Sequence, residues 1–156
     1  MKTHNILSIE QFKIDIGIKS RLIGLDPGSK NIGIAICDEN KRVATPYKTL
    51  QKNTFKNLLS EVKNIILENN IKGIVIGNPI NMDGTEGSSS QSAFDLAKNL
   101  SKNITIPITV WDERLSSQGS FNITGELEVN VSNRMKKIHK NAAAFILQGA
   151  IDFLSN

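Results

Sequence analysis

The chain has 156 residues, with 19 Lys and Arg against 15 Asp and Glu and a net charge of +4. That length suits one domain with its own core, and an apolar share of 39% excludes a chain disordered throughout. The mild basic excess permits a polyanionic partner without requiring one. No apolar run approaches the roughly 20 residues that cross a bilayer, so no membrane segment is expected.

Residues 1–20 mix Lys2, Glu10, Lys13 and Asp15 with Ile6, Leu7, Ile9, Phe12, Ile14 and Ile16. They lack the continuous apolar stretch of a signal peptide and fit either an N-terminal arm or a short docking helix, followed by a single domain over 21–156. Arg21 to Asp26 reads as a strand that ends on an acid, and Pro27-Gly28-Ser29 as a turn. Ile32, Ile34 and Ile36 alternate with Gly33, Ala35 and Cys37, a second strand. After a turn at Asp38-Glu39-Asn40, a third strand is expected over Val43 to Leu50. The lone Cys37 has no partner for a disulfide or a zinc site. It reads as a small buried hydrophobe in a reducing, cytoplasmic compartment.

Phe55, Leu58, Leu59, Val62, Ile65 and Ile66 fall at helical spacing and predict an amphipathic helix over 53–68. Ile71 to Gly77 is a short apolar strand, buried on both faces. A polar loop with a turn at Asp83-Gly84 follows. The spacing of Ala93, Leu96, Ala97 and Leu100 then predicts a helix over 88–101, with Ser88 to Ser90 as its cap. Ile106 to Trp111 is a fifth strand, ending in Asp112-Glu113-Arg114. Residues 119–136 are polar and irregular and are expected to form a mobile loop. A last helix is expected over 137–154, nearly all apolar from Ala142 onward.

The order β-β-β-α-β-α-β-α implies an α/β fold: a meander followed by two right-handed crossovers, giving one mixed five-stranded sheet with helices on both faces. The first, fourth and fifth strands then run parallel and bring Asp26, Gly77 and Glu113 to one edge, where open α/β sheets place their sites. Neighbouring strand residues point to opposite faces, so only one of Asp112 and Glu113 joins Asp26 readily. Glu113 is favoured for its reach, with Gly77 clearing the path between. Converging carboxylates repel unless a cation joins them, and an oxygen-rich set suits Mg²⁺ or Mn²⁺. Such ions activate water against phosphodiesters. His139 has Ala142, Ala143 and Ile146 as its helical neighbours, which turns it toward the same edge. Lys30, Arg114, Arg134, Lys136, Lys137 and Lys140 are candidates for holding phosphates around it. Aromatic residues are few, which favours recognition of shape and backbone over stacking.

Four blocks resemble the YqgF/RuvX family, a branch of the RNase H-like fold related to Holliday-junction resolvases. They are Gly24-Leu25-Asp26-Pro27-Gly28-Ser29-Lys30-Asn31-Ile32-Gly33-Ile34-Ala35, then Ile76-Gly77-Asn78-Pro79 with Asn81-Met82-Asp83-Gly84. Asp112-Glu113-Arg114-Leu115-Ser116-Ser117 is the third, and Ala142-Ala143 with Ile146-Leu147-Gln148 is the last. The resemblance implies a metal-dependent nuclease, a hydrolase of phosphodiester bonds, that processes the 5′ end of precursor 16S rRNA during ribosome biogenesis. Resolution of branched DNA is the alternative, although no dimer seam is legible.

Asp26, Glu113 and His139 are the implied catalytic residues and, with Asp112, the implied metal set. His139 stands where the family has a third acid. That change favours Mn²⁺ over Mg²⁺ and implies loss of activity as the imidazole protonates below roughly pH 6.5. It also raises a nucleic-acid-binding protein with impaired catalysis as a rival. Asp152 is no substitute, since 13 residues of helix carry it roughly 20 Å away. Two other classes are disfavoured. A serine hydrolase lacks its G-x-S-x-G elbow. An actin-like phosphotransferase, suggested by Asp26-Pro27-Gly28, needs a second domain.

Overall fold

The computed structural model describes residues 5–28, 31–51, 54–78, 88–112 and 142–155. The described residues form helix α1 (Ile9–Ile16), strands β1 (Arg21–Pro27), β2 (Asn31–Cys37) and β3 (Ala44–Gln51), and helix α2 (Phe55–Asn69). Strand β4 (Ile71–Asn78), helix α3 (Ser88–Ser101), strand β5 (Ile108–Asp112) and helix α4 (Ala142–Leu154) follow. The sheet order is β3-β2-β1-β4-β5. β1 pairs antiparallel with β2 and β2 with β3, while β1, β4 and β5 run parallel. This is the expected mixed sheet, and its strand ends sit where local chemistry sets them. β5 starts at Ile108 because Pro107 has no N–H for the ladder; its carbonyl still accepts from Ile74 N–H at 2.9 Å. β3 starts at Ala44 because the Asp38 carboxylate takes the N–H groups of Arg42 and Val43, at 3.0 and 2.9 Å, into the turn before it.

Side-chain alternation divides the core into two layers. On one face, Ile23, Leu25, Ile34, Ile74, Ile76 and Ile108 pack under Val62 and Ile65 of α2 and Ala93, Leu96, Ala97 and Leu100 of α3. On the other, Leu22, Ala35, Cys37, Val75 and Trp111 pack under Phe12 and Ile16 of α1 and Ala143, Ile146, Leu147, Ala150 and Ile151 of α4. β4 is buried on both faces except at Lys72, as its apolar run implied. The helices are capped locally. The Thr54 hydroxyl accepts from Asn57 N–H to start α2, and Asn70 ends it in the left-handed region with its N–H on Ile66 O. Ser88 to Ser90, expected as a cap, lie inside α3 as its first turn.

The N-terminal segment is arm and helix in succession. Leu7 N–H donates to Ile108 O and Ile108 N–H to Asn5 O, at 2.7 and 2.8 Å, so the arm adds to the outer edge of β5. The Asn5 side chain donates to Ile104 O and Ile106 O and accepts from the Ser101 hydroxyl. Ser8 then caps α1, its hydroxyl accepting from Gln11 N–H. The Phe12 ring, fully buried, takes the space left by Gly73: a Cβ there would lie 2.7 Å from Phe12 Cζ. An unpaired sheet edge is thereby closed by the chain's own N-terminal residues.

Candidate functional site

β1, β4 and β5 end together at one edge of the sheet. Leu25 pairs with Ile76, and Gly77 and Asn78 pair with Trp111 and Asp112. Continuing the β1–β4 register by one residue sets Asp26 beside Gly77. The face of each residue follows from the core layers. Leu25 faces α2 and α3, so Asp26 faces α4. A Cβ added to Gly33, the partner of Asp26 on β2, would lie 3.7 Å from Asp26 Cβ and 3.5 Å from Ala143 Cβ. Asp26, half-buried, thus stands across Gly33 from the first turn of α4. Gly77 shares the α4 face with Val75, and no side chain rises from β4 between Asp26 and β5.

Two glycines let this corner close. A Cβ on Gly24 would approach Leu147 Cβ to 2.8 Å and Ala143 O to 3.3 Å, so α4 rests directly on β1 there. In the turn after β1, Gly28 N–H donates to Asp26 O at 3.0 Å, and a Cβ on Gly28 would sit 2.6 Å from Asn31 O. α4 is also tied to the meander. Gln148 accepts from Ala44 N–H at 2.9 Å and donates to Arg42 O at 3.0 Å. No role was read for Gln148 from the sequence beyond its place in a family block; the strand it latches lies about a hundred residues earlier.

Asp112 falls on the other face. Trp111 belongs to the α4 layer, so alternation turns Asp112 toward α2 and α3, with Asn78 beside it. Among the described residues, no group of three His, Cys, Asp or Glu gathers as a metal centre. Glu113 and His139, and the candidate phosphate contacts Lys30, Arg114, Arg134, Lys136, Lys137 and Lys140, lie outside the described residues, as do the turn at 83–84 and the segment 119–136. Cys37 is no nucleophile. It is 1% exposed and its sulfur accepts from Leu22 N–H at 3.3 Å; burial pushes the thiol pKa up and holds it protonated. Among the described residues, no helix is long and apolar enough to cross a membrane.

Against this geometry, the model of the RuvX family, described as Holliday junction resolvase, matches residues 20–153. The chain belongs to the RuvX family. A relative from Pelagibacter ubique is 57% identical over 151 residues, which are 97% of this chain and 100% of that one. A second, from Novosphingobium aromaticivorans, is 43% identical over 134 residues, 86% of each chain. Both are named for a proposed pre-16S rRNA nuclease activity. Among solved structures, T. thermophilus RuvC in complex with Holliday junction substrate matches with a TM-score of 0.51 and 10% identity, over 86% of this chain and 94% of that one. That likeness and the strand order establish the RNase H-like α/β class expected from the sequence. The RuvX match begins one residue before β1 and leaves the N-terminal arm and α1 outside it.

Proposed function

We propose that this RuvX-family chain is a divalent-metal-dependent nuclease that trims the 5′ end of precursor 16S rRNA. The observation that carries the reading is Asp26 at the shared C-terminal edge of β1, β4 and β5, facing the first turn of α4 across Gly33. The names of the relatives from P. ubique and N. aromaticivorans support the RNA substrate.

Asp26 offers carboxylate oxygen, the donor that Mg²⁺ and Mn²⁺ take. Gly33 and Ala143 pack close beside it, and the oxygen donor itself is what fits the corner to such an ion. Glu113, favoured from the sequence for its reach, completes the acid pair in this reading. Asp112, one residue after Trp111, turns toward α2 and α3 and away from Asp26. His139, three residues before Ala142 at the start of α4, is the third member. An imidazole there shifts preference toward Mn²⁺. When bound, the cation would lower the pKa of attacking water and offset charge on the leaving oxygen. Asp26 and Glu113 would hold the cation that offsets the charge of the scissile phosphate, while Lys30, Arg114, Arg134, Lys136, Lys137 and Lys140 hold flanking phosphates.

The test is cleavage of a 5′-extended precursor 16S fragment by purified protein in Mn²⁺ and in Mg²⁺, beside Asp26→Asn. Trimming that is faster in Mn²⁺ and lost in the variant is the expected result. RNA binding without cleavage in either metal would replace this reading with a binding protein of impaired catalysis. Resolution of branched DNA is a second reading, favoured by the description of the RuvX family. Incision of a four-way DNA junction in preference to the RNA would establish it.

A further inference from the structure

On the α2–α3 side of the same edge the chain has a cavity of about 300 Å³ that reaches Pro27, one residue from Asp26. Asp26 faces α4 and the cavity faces away from it, so the two flank one strand end. The walls are apolar at Phe55, Leu58 and Leu96 and polar at Gln51 and Asn99; Asp95 gives the lining its carboxylate. We infer that this cavity receives one unpaired nucleobase of the substrate strand whose phosphate lies at Asp26. The inference rests on the nuclease reading above and adds to it where a neighbouring base goes.

Four observations support this occupant. The volume is at the small end of ligand sites, about 300–1,000 Å³, which fits one heterocycle and excludes a duplex. None of the described lining residues is Lys or Arg and Asp95 is among them, so the described wall offers a phosphate no cation while it can take a neutral ring. Phe55, in a chain poor in aromatics, lines the wall, and an aromatic ring is a surface on which any base can stack. The carboxamides of Gln51 and Asn99 each carry donor and acceptor atoms, the pair of functions that a base edge presents. The site therefore discriminates single-stranded from paired nucleic acid without reading one sequence, as a trimming enzyme at an RNA end requires.

The experiment is titration of isotope-labelled protein with a short single-stranded oligoribonucleotide and with a ribose-phosphate oligomer of equal length that lacks bases. Backbone amide resonances of Phe55, Leu58 and Asn99 should move with the first and stay with the second. Leu58→Trp fills the cavity and should weaken oligoribonucleotide binding about 5- to 100-fold, raising KM with little change in kcat. Asn99→Ala, at an exposed helix position that leaves the core intact, should give a smaller loss in the same direction. Equal shifts with the base-free oligomer, or no shifts at these residues with either, overturn the inference, and cleavage that persists in that case leaves the nuclease reading standing. Base-dependent shifts in a protein that cleaves nothing keep the cavity assignment and remove the nuclease.

Discussion

On the α4 side, the sheet meets its helix through Gly24, Gly33, Ala35, Ala143 and Ala150. On the α2–α3 side, it meets two helices through Ile23, Leu25, Ile34, Ile74, Ile76 and Leu96. At the Asp26 end, the first face is built from small residues that let helix and sheet approach closely. That approach fixes the height and position of α4, and Asp26 stands at the end of that seam. The second face is built from branched aliphatics, which bury more area per residue but meet less closely toward the edge, where the cavity remains. Closeness serves a carboxylate that must be held in one place, while bulk serves stability and leaves room for a ligand.

The comparison breaks most readily at Leu25, fully buried on the bulky face. Leu25→Ala should cost about 2–5 kcal/mol of unfolding free energy in denaturant, with cleavage per folded molecule nearly retained. Asp26→Asn should do the reverse. If Asp26 holds the metal as proposed, its loss should exceed the roughly 10- to 100-fold cost of losing a group that merely supports a ligand, while the denaturation midpoint moves little. Equal losses of stability in the two variants would dissolve the division of labour. Gly24→Ala should sharpen it, because the new methyl meets Leu147 Cβ at 2.8 Å. A cost of about 1–3 kcal/mol is expected from the strain, together with a fall in activity at full folding as α4 lifts from Asp26.

Gln148→Ala removes the bonds that tie α4 to Ala44 of β3 and to Arg42 in the turn before it, and also the carboxamide's bond to Asp152. About 0.5–1.5 kcal/mol per bond bounds the loss of stability, measurable as a lower melting temperature.

The smallest effect belongs to Asp38, whose pKa is lowered first by its hydrogen bond from Val43 N–H and further by those from Arg42 and Asn40. A depressed carboxylate stabilises the fold above its unfolded pKa, and that contribution is lost as pH falls through the folded value. The acid limb of stability below about pH 4 should therefore flatten in Asp38→Asn and stay flat at neutral pH.

Much of this architecture was legible in the residues. The Ile32-Ile34-Ile36 alternation, the continuous run at Ile71 to Gly77 and the helical spacing from Phe55 to Ile66 each carry their own period, and each element forms within two residues of its expected bounds. The edge position of Asp26 followed from element order alone. What local pattern leaves open is set by distant partners. Residues 5–16 read as arm or helix because the arm's hydrogen bonds go to residues about a hundred positions away. The cavity was invisible for the same reason: Pro27, Gln51, Phe55 and Asn99 come from four elements, and none is unusual where it stands. Period alone said only that Asp112 and Glu113 point apart; Trp111 in the α4 layer shows that Asp112 is turned toward α2 and α3.

The arm on β5 also dictates an order of events. Residues 5–8 leave the ribosome long before Ile104 to Thr109, the residues that bind them. The meander and its first crossover can assemble while the arm waits unpaired. Closing a loop of that length costs only slightly more entropy than closing one half as long, so the delay lies in synthesis and not in the search. The outer β5 edge stays open to other strands until then, and the arm's hydrogen bonds form only after β5 has been made.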